Sequence, residues 1–187
     1  RSNRAGRTTF HLRFRIYDLR FFPVLTLEQL SELLEKNRDA AKSRVKEFSI
    51  GGKHFAFNSQ PSIMGVINLS PDSWYRESVC LTTESAIERG KILAAQGAVI
   101  VDIGAESSLA QAARVDASGQ TSKLLPVIKG LCAANILISA ETYQPSVAKT
   151  CLEAGAKVLN VTGTESSVEI FRMAAANDAA VIICFVQ

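Results

Sequence analysis

Five short apolar runs recur along the chain from residue 63 onward, and a stretch with helical spacing separates each from the next. The runs span seven residues each and cover 63–69, 98–104, 136–142, 157–163 and 180–186. They lack the apolar–polar alternation of strands that face water on one side. We therefore predict parallel strands covered on both faces by βα crossovers. Five such units suit either a (β/α) barrel or an open doubly wound sheet.

The polar stretches between these runs predict four helices. Their expected bounds are about Thr83 to Gln96, about Gln120 to Ala134, Pro145 to about Gly155, and about Ser166 to Asn177. Pro145 stands where a first-turn proline belongs, and Gly155 ends the same helix. Pro126 lies inside the second predicted helix, where we expect a kink.

The part of the chain before residue 63 has a different pattern. Residues 26–46 predict an amphipathic helix, with Thr26 as N-cap and an apolar stripe of Leu27, Leu30, Leu33 and Leu34. Residues 47–57 alternate apolar and polar positions on either side of Gly51-Gly52, which predicts a β-hairpin. We expect a basic N-terminal extension over 1–47 and a barrel-type domain over 48–187.

Composition and charge narrow the function classes. The 187 residues are 47% hydrophobic, which is ordinary for a globular protein. No run approaches the roughly 18 apolar residues of a membrane helix. The formal charge is +3, yet residues 1–55 hold 12 basic against 6 acidic residues. Because this basic arm has few interleaved aromatics, we expect a solvated or packing extension, with no nucleic-acid and no membrane partner.

Cysteine usage points to a reducing compartment. The four cysteines lie far apart and form no C-x-x-C pair: Cys80, Cys132, Cys151 and Cys184. That spacing argues against a zinc site and favours reduced thiols in or near a core. The first residues contain no apolar stretch typical of a secretory signal, so we expect a cytoplasmic protein.

Four polar residues lie toward the carboxyl ends of the first four predicted strands. They are Asn68, Asp102, Glu141 and Asn160. Any one of them could serve a strand-end hydrogen bond, but the carboxyl ends of barrel strands converge on one mouth. A carboxylate accepts two hydrogen bonds side by side, which matches the amidine-like edge of a 2-amino-pyrimidinone, and an asparagine both donates and accepts. We predict a site for a polar heterocycle.

The same runs argue against other chemistries. His11 and His54 both precede the repeats, so a Ser-His-Asp or Cys-His system within the repeats is excluded unless His54 folds over them. Neither G-x-G-x-x-G nor G-x-x-x-x-G-K-[ST] occurs, and nucleotide binding by those loops is unsupported. We expect a site that binds and orients substrates without forming a covalent intermediate.

Four motifs carry a family resemblance. "IMGVINLSPDS", "VDIGAESS", "ISAETYQPSVA" and "AGAKVLNVTG" resemble, in order and spacing, the signatures of dihydropteroate synthase over roughly residues 48–187. The resemblance implies a (β/α)8 TIM-type barrel, of which about the first five βα units are present, preceded by the helix and hairpin. It also implies condensation of 6-hydroxymethyl-dihydropterin diphosphate with 4-aminobenzoate in folate biosynthesis, with Mg²⁺ assisting departure of the diphosphate.

The resemblance also implies roles for individual residues. Asn68 would lie by the diphosphate and the metal, and the pterin would be held by Asp102, Glu141 and Asn160. Residues 69–78 would form a mobile first loop beside the second substrate, including Ser70, Pro71, Asp72 and Ser73. Ser107 and Ser108 would begin the second loop, near the aminobenzoate.

Several positions depart from the family pattern. Glu141 stands in place of an aspartate, Val161 in place of the aspartate after the fourth-strand asparagine, and Leu109 in place of an arginine. "YRES" replaces the glycines of the first loop, and Phe185 replaces a histidine on the fifth strand. The pattern keeps half of the pterin pocket and alters the aminobenzoate and first-loop features.

Three alternatives to the synthase stay open from sequence. They are the pterin-binding domain of a corrinoid methyltransferase, a non-catalytic or altered-substrate pterin-binding paralogue, and an unrelated barrel. Because five strands cannot close a barrel, we expect a fragment of a longer protein, with the remaining strands in a missing C-terminal part. A homodimer is kept as one possible assembly.

Overall fold

The structure is a computed structural model that describes residues 26–73, 75–107, 112–162 and 167–184. It divides into two compact units, Arg1–Arg44 and Val45–Gln187. Within the described ranges, every helix is too short or too polar to cross a bilayer.

The first unit contains two short helices where the sequence predicted one. Helix α1 spans Leu27–Lys36 and α2 spans Arg38–Lys42. Thr26 and Gln29 cap α1 reciprocally, as the predicted N-cap requires. The break falls at Asn37, whose Nδ2 donates to the Leu33 carbonyl at 2.8 Å and so satisfies a C-terminal carbonyl of α1.

The predicted β-hairpin opens the second unit. Strand β1 (Phe48–Ile50) pairs antiparallel with β2 (Lys53–Phe55). Gly51 and Gly52 connect them with φ values of +52° and +77°. Positive φ at both central residues is the requirement of a type I′ turn, which glycine meets without steric cost.

The five apolar runs form one parallel sheet. Its strands are β3 (Ile63–Asn68), β4 (Ala98–Gly104), β5 (Leu137–Glu141), β6 (Val158–Val161) and β7 (Ala180–Ile183). They lie side by side in sequence order. A doubly wound sheet reverses its strand order at a switch point, whereas successive barrel strands are always neighbours. The order therefore decides for the barrel-type arrangement.

Four helices connect the strands. They are α3 (Thr83–Ala95), α4 (Ala117–Ala133), α5 (Pro145–Glu153) and α6 (Ser167–Ala176). Pro145 occupies the first turn of α5, as predicted. Helix α4 starts earlier than the predicted Gln120, because the Asp116 carboxylate accepts from the Gly119 amide at 2.7 Å and caps the first turn. Pro126 lies within α4.

The main core fills the space between the sheet and these helices. Ile67, Ile103, Ile138 and Leu159 belong to it from the strands, with Leu124, Ile128 and Leu131 from α4, all fully or nearly fully buried. The prediction of strands covered on both faces does not extend to the two edge strands of the described sheet, β3 and β7. On β3, Met64 is 39% and Val66 is 36% exposed, and on β7, Ile183 is 73% exposed.

A second, smaller cluster lies on the opposite face of the sheet. Phe55 of the hairpin packs there with Ile100 and Leu137, near the amino-terminal ends of β4 and β5. Phe55 is 1% exposed and stacks on Phe48 with ring centroids 5.3 Å apart. The hairpin thus occupies one end of this face, and the polar residues that close the strands occupy the other.

Candidate functional site

Strand register places three of the predicted residues in one row. Asn68 on β3 pairs with Gly104 on β4, Gly104 with Glu141 on β5, and Glu141 with Asn160 on β6. Asp102 lies two residues before Gly104 and so projects from the same face. The structure therefore brings the four predicted strand-end residues together at the carboxyl end of the sheet.

Of the two acidic residues among the four predicted site residues, Asp102 is the more deeply buried. It is 3% exposed, and its Oδ2 accepts a hydrogen bond from Asn160 Nδ2 at 3.0 Å. Burial raises the pKa of Asp102, although Ser139 and Asn160 act to lower it. Ser139 is its register neighbour on β5.

Two buried polar atoms of this face lack a partner among the described residues. They are Asp102 Oδ1 and the Ser139 hydroxyl. Buried polar groups in folded proteins are almost always hydrogen-bonded. The neighbouring Ser139 hydroxyl, which lowers the Asp102 pKa, and a ligand N–H group are the two donors that suit this carboxylate oxygen.

Asn160 is held in one orientation from both sides of its amide. Its Nδ2 donates to Asp102, and its Oδ1 accepts from Cys184 Sγ at 3.0 Å. Burial, followed by Glu141 and Asp102, raises the pKa of Cys184, which favours the neutral thiol that can donate. Sequence reasoning did not assign Cys184 to the site, although its place at the end of the fifth apolar run was a usable signal.

Glu141 reaches over the gap that Gly104 leaves in the row. A Cβ at position 104 would lie 2.5 Å from Glu141 Oε2 and 3.6 Å from Asn68 Oδ1. Burial, then the charges of Asp102 and Glu106, raises the pKa of Glu141 to about 7. The two distances show that the carboxylate is directed toward the Asn68 side of the row.

Asn68 is tied to the first loop through the other end of its amide. Its Nδ2 donates to Ser78 Oγ at 2.6 Å, and Ser78 Oγ donates in turn to the Tyr75 carbonyl at 2.6 Å. The Asn68 backbone carbonyl also accepts from the Cys80 amide. These contacts leave Asn68 Oδ1 as the end that faces Gly104 and Glu141.

The first loop is linked to the second. Ser70 Oγ accepts from the Asp72 amide at 3.3 Å, and Ser107 Oγ donates to the Asp72 carbonyl at 3.1 Å. Within the loop, Arg76 Nη1 donates to the Pro71 carbonyl at 2.6 Å. Ser73 is 4% exposed. Mobility of this loop stays a prediction, and Ser108, Leu109 and Phe185 lie outside the described residues.

Sequence reasoning missed Glu106, which organises the loops beside the row. Its carboxylate accepts from Arg114 Nη1 at 2.7 Å, the Val115 amide at 2.7 Å, Tyr143 Oη at 3.1 Å and Gln120 Nε2 at 3.2 Å. Burial raises the pKa of Glu106, but the Val115 amide, Arg114 and Tyr143 outweigh it and the net pKa is lowered. Its position inside the motif "VDIGAESS" was the signal.

The Glu106 network joins three segments of the chain. Arg114 and Val115 belong to the connection before α4, Gln120 to α4 itself, and Tyr143 to the loop after β5. The Arg114 guanidinium also lies 6.0 Å from the centroid of the Tyr143 ring. The Thr142 hydroxyl donates to Gln120 Oε1 at 3.1 Å and extends the network to the end of β5.

The donor set of the site consists of oxygens. In the part of the chain that the structure describes, no group of three or more His, Cys, Asp or Glu side chains could hold a metal ion. The site offers the Asn68 amide oxygen and the Glu141 carboxylate near one point. Such hard ligands suit a cation that completes its shell with water and substrate oxygens.

Residues 64–187 match the family described as pterin binding enzyme. The chain belongs to this family. The resemblance that the four sequence motifs indicated is thereby confirmed.

Several of the similar proteins and solved structures are dihydropteroate synthases. The chain is 34% identical over 131 residues to that of Streptococcus pyogenes serotype M1, covering 69% of this chain and 49% of the relative. The Xanthomonas albilineans dihydropteroate synthase with 4-aminobenzoic acid is 28% identical, with a TM-score of 0.62 over 72% of this chain and 50% of that one.

A third comparison supports the fold. The Yersinia pestis dihydropteroate synthase with a sulfonamide drug gives a TM-score of 0.66 at 24% identity, over 73% of this chain and 50% of that chain. The barrel-type α/β fold expected from sequence is confirmed. The chain spans about half the length of the dihydropteroate synthases it matches.

Proposed function

We propose that this chain supplies the pterin-binding part of a dihydropteroate synthase-type transferase. The reaction would condense 6-hydroxymethyl-dihydropterin diphosphate with 4-aminobenzoate. The observation that carries the proposal is the buried Asp102 carboxylate, with one oxygen held by Asn160 and the other without a donor among the described residues. The Xanthomonas albilineans dihydropteroate synthase was solved with 4-aminobenzoic acid, which supports the second substrate.

The heterocycle would be recognised by hydrogen bonds at the carboxyl end of the sheet. A 2-amino-pyrimidinone edge presents two N–H groups side by side, which a carboxylate such as Asp102 can accept. Asn160, fixed by Cys184, adds a second polar contact. Glu141 stands at the border between this end and the Asn68 end.

The diphosphate would lie at the Asn68 end, where Mg²⁺ fits the oxygen donor set. Mg²⁺ usually binds through one or two protein oxygens, substrate phosphates and retained water, and Asn68 Oδ1 is a protein oxygen of this kind. When bound, the ion would neutralise charge on the departing diphosphate. The loop residues Ser70, Pro71, Asp72 and Ser73, with Ser107 and Ser108, would border the second substrate.

The chemistry asks the protein for positioning. The amine of the second substrate attacks the methylene carbon, the carbon–oxygen bond to diphosphate breaks, and the bond electrons leave with the diphosphate. Asp102 and Asn160 would hold the heterocycle so that its methylene faces the amine. Acceptor oxygens that are already oriented also lower the reorganisation needed as charge shifts toward the ring.

A pterin-binding paralogue without this activity is the second candidate. The family aspartate that follows the fourth-strand asparagine is Val161 here, and Val161 is 2% exposed and packed in the core. An apolar side chain cannot replace the hydrogen bonds of a carboxylate, so the substitution removes a polar group from this strand. This departure is the observation that favours binding without turnover.

The deciding experiment is calorimetric titration of the protein that carries this chain. Pterin diphosphate is titrated with and without Mg²⁺, and condensation with 4-aminobenzoate is then assayed. We expect Asp102→Asn to weaken pterin binding by about a hundredfold, since it removes a charged acceptor from a buried site. The matched control is Asp178→Asn, because Asp178 is exposed and asparagine tolerates its φ of +49°.

The outcomes separate the candidates. Binding with turnover supports the transferase, and binding without turnover supports the paralogue. An affinity that Asp102→Asn leaves unchanged would show that the pterin lies elsewhere.

The four free cysteines favour a reducing compartment, and we extend the proposal to a cytoplasmic location.

A further inference from the structure

Cys184 lies at the carboxyl end of β7, on the sheet face that carries Asp102 and Asn160. Asn160 pairs in register with Ile182, and side chains two residues apart on a strand project to the same face. The Cys184 amide donates to the Val161 carbonyl at 3.2 Å and continues the ladder past the end of the strand. The backbone therefore holds the Cys184 side chain beside Asn160.

The amide of Asn160 has two orientations, which exchange its oxygen and its nitrogen. In the structure Nδ2 donates to Asp102 Oδ2 at 3.0 Å. An ionised carboxylate enforces this orientation, because it only accepts hydrogen bonds, whereas a protonated carboxyl can also donate to Oδ1. Burial raises the pKa of Asp102 and so favours the protonated form. Asp102 alone fixes the orientation only while it is ionised.

The Cys184 thiol supplies a second constraint on this amide. Its S–H group donates to Asn160 Oδ1 at 3.0 Å. In the reversed orientation the thiol would face the amide N–H groups, and sulfur is a weak acceptor. Burial, followed by the charges of Glu141 and Asp102, raises the pKa of Cys184. The thiol therefore keeps the proton that it donates.

A fixed amide decides what a ligand meets at Asn160. An asparagine side chain carries two N–H donors and two oxygen lone pairs. Within the described residues, the contacts to Asp102 and Cys184 use one of each. One donor and one acceptor remain, and reversal of the amide would exchange their positions.

Burial of the pair indicates that a ligand uses this remaining capacity. Asp102 is 3% exposed and Asn160 is 7% exposed, and Asp102 Oδ1 lacks a partner among the described residues. The neighbouring Ser139 hydroxyl is a donor that suits Oδ1. The free N–H and lone pair of Asn160 call for a group that both accepts and donates, because unpaired buried polar groups are costly. The edge of a polar heterocycle is such a group.

We propose that Cys184 is a positioning residue for heterocycle recognition, which fixes the Asn160 amide so that its remaining donor and acceptor meet the ligand in one order. The ligand class is a heterocycle that presents both a donor and an acceptor to Asn160. The inference rests on the proposed function and adds to it a residue that sequence reasoning did not assign.

Infrared spectroscopy of the S–H stretching band tests the hydrogen bond without any ligand. The band of Cys184 is isolated as the difference between the spectra of the parent protein and of Cys184→Ser. A thiol that donates a hydrogen bond absorbs at lower frequency than a free thiol. We therefore expect the Cys184 band to move to higher frequency in Asn160→Ala, which removes the acceptor.

Calorimetric titration with 6-hydroxymethyl-dihydropterin tests the consequence for recognition. Cys184→Ser keeps a donor and should bind within about twofold of the parent. Cys184→Ala removes the donor and should weaken binding about five- to tenfold. Serine and alanine are nearly equal in volume, so a residue that only filled space would show equal losses in both variants.

Cys132→Ala is the matched control for the titration. Cys132 lies near the amino-terminal ends of the strands, where it lines a cavity with Gly51, Gly155 and Lys157. Its replacement should leave pterin affinity unchanged. Circular dichroism spectra confirm that each variant is folded before its affinity is compared.

The outcomes separate this proposal from the proposed function. Equal affinities of Cys184→Ser and Cys184→Ala overturn the positioning role, as does an S–H band that Asn160→Ala does not move. Failure of the parent protein to bind the pterin, with the infrared shift present, overturns the proposed function and the heterocycle as ligand. The Cys184–Asn160 hydrogen bond would then stand without it.

Discussion

At the scale of single residues, Glu141 has the most unfavourable electrostatic position in the row. Its carboxylate is largely removed from water and faces the charges of Asp102 and Glu106, which together raise its pKa to about 7. The folded protein therefore favours the protonated acid more strongly than the unfolded chain does. In the unfolded chain Glu141 ionises near its ordinary value, so holding it in the fold costs stability as pH rises.

The pH dependence of Glu141→Gln follows from this sign. Below about pH 4.5 the acid is protonated in both states and costs nothing. Between pH 4.5 and 7 the penalty grows, and above pH 7 it is complete. We expect the free energy of unfolding of Glu141→Gln to exceed that of the parent by a margin that grows from pH 4.5 upward. The margin should reach roughly 1–3 kcal/mol by pH 8.

Urea denaturation across this range without divalent cation measures the difference. Glu153→Gln, an exposed carboxylate on α5, is the control and should show no pH-dependent gain. A difference between Glu141→Gln and the parent that stays constant with pH would contradict the raised pKa.

At the scale of elements, one buried carboxylate fastens the loops that surround the site. Glu106 is 9% exposed and accepts hydrogen bonds from Arg114, Val115, Gln120 and Tyr143. Loops normally have few such ties, since their backbone lies at the surface. Residues 112–116 before α4 and the loop after β5 are therefore expected to move as one body.

Replacing Glu106 should destabilise these loops, and the effect should depend on pH in the direction opposite to that of Glu141→Gln. The pKa of Glu106 is lowered in the fold. Its contribution to stability is therefore present when the pH is above its ordinary pKa and is lost as the pH falls through its folded pKa. We expect Glu106→Gln to cost about 2–4 kcal/mol at pH 7, because a charged acceptor with several donors is removed.

Thermal or urea unfolding at pH 7 and at pH 3 tests this expectation. The difference between Glu106→Gln and the parent should shrink at the lower pH. Exposed Glu169 of α6 provides the control substitution, Glu169→Gln. Faster hydrogen exchange at Val115 in Glu106→Gln would show directly that the loop has been released, and unchanged exchange would speak against the network.

At the scale of the whole second unit, stability and chemistry occupy opposite ends of one sheet face. The hairpin packs Phe55 against Ile100 and Leu137 near the amino-terminal ends of the strands. The polar row lies at the carboxyl-terminal ends, where barrel enzymes place their sites. Changes at the hairpin should therefore alter stability without altering recognition.

Phe55→Ala tests this separation. Removing a side chain that is 1% exposed should lower the free energy of unfolding by about 3–5 kcal/mol. Phe57 also contacts the ring cluster but is 45% exposed, so Phe57→Ala is the matched control with a smaller loss. Pterin affinity should be unchanged wherever Phe55→Ala is folded, and a large affinity loss there would show that the two ends are coupled.

Local patterns alone predicted most elements, because the spacing of apolar residues reports which face of a strand or helix is buried. Strands β3 to β7 lie within the five apolar runs, and Gly51-Gly52 marked the hairpin turn. The break at Asn37 was missed, because the charged and leucine positions continue past it while a side-chain hydrogen bond ends the helix there.

The sequence by itself determined the family, the order of strands and helices, and which polar residues close the strands. Only the tertiary structure decided how those residues meet. Asn160 Nδ2 reaches Asp102 across 58 positions of chain, and Glu106 gathers donors from three segments. Glu141 is directed over Gly104 toward Asn68 by strand register. Register and loop packing arise from contacts between segments distant in sequence, which no local pattern of residues encodes.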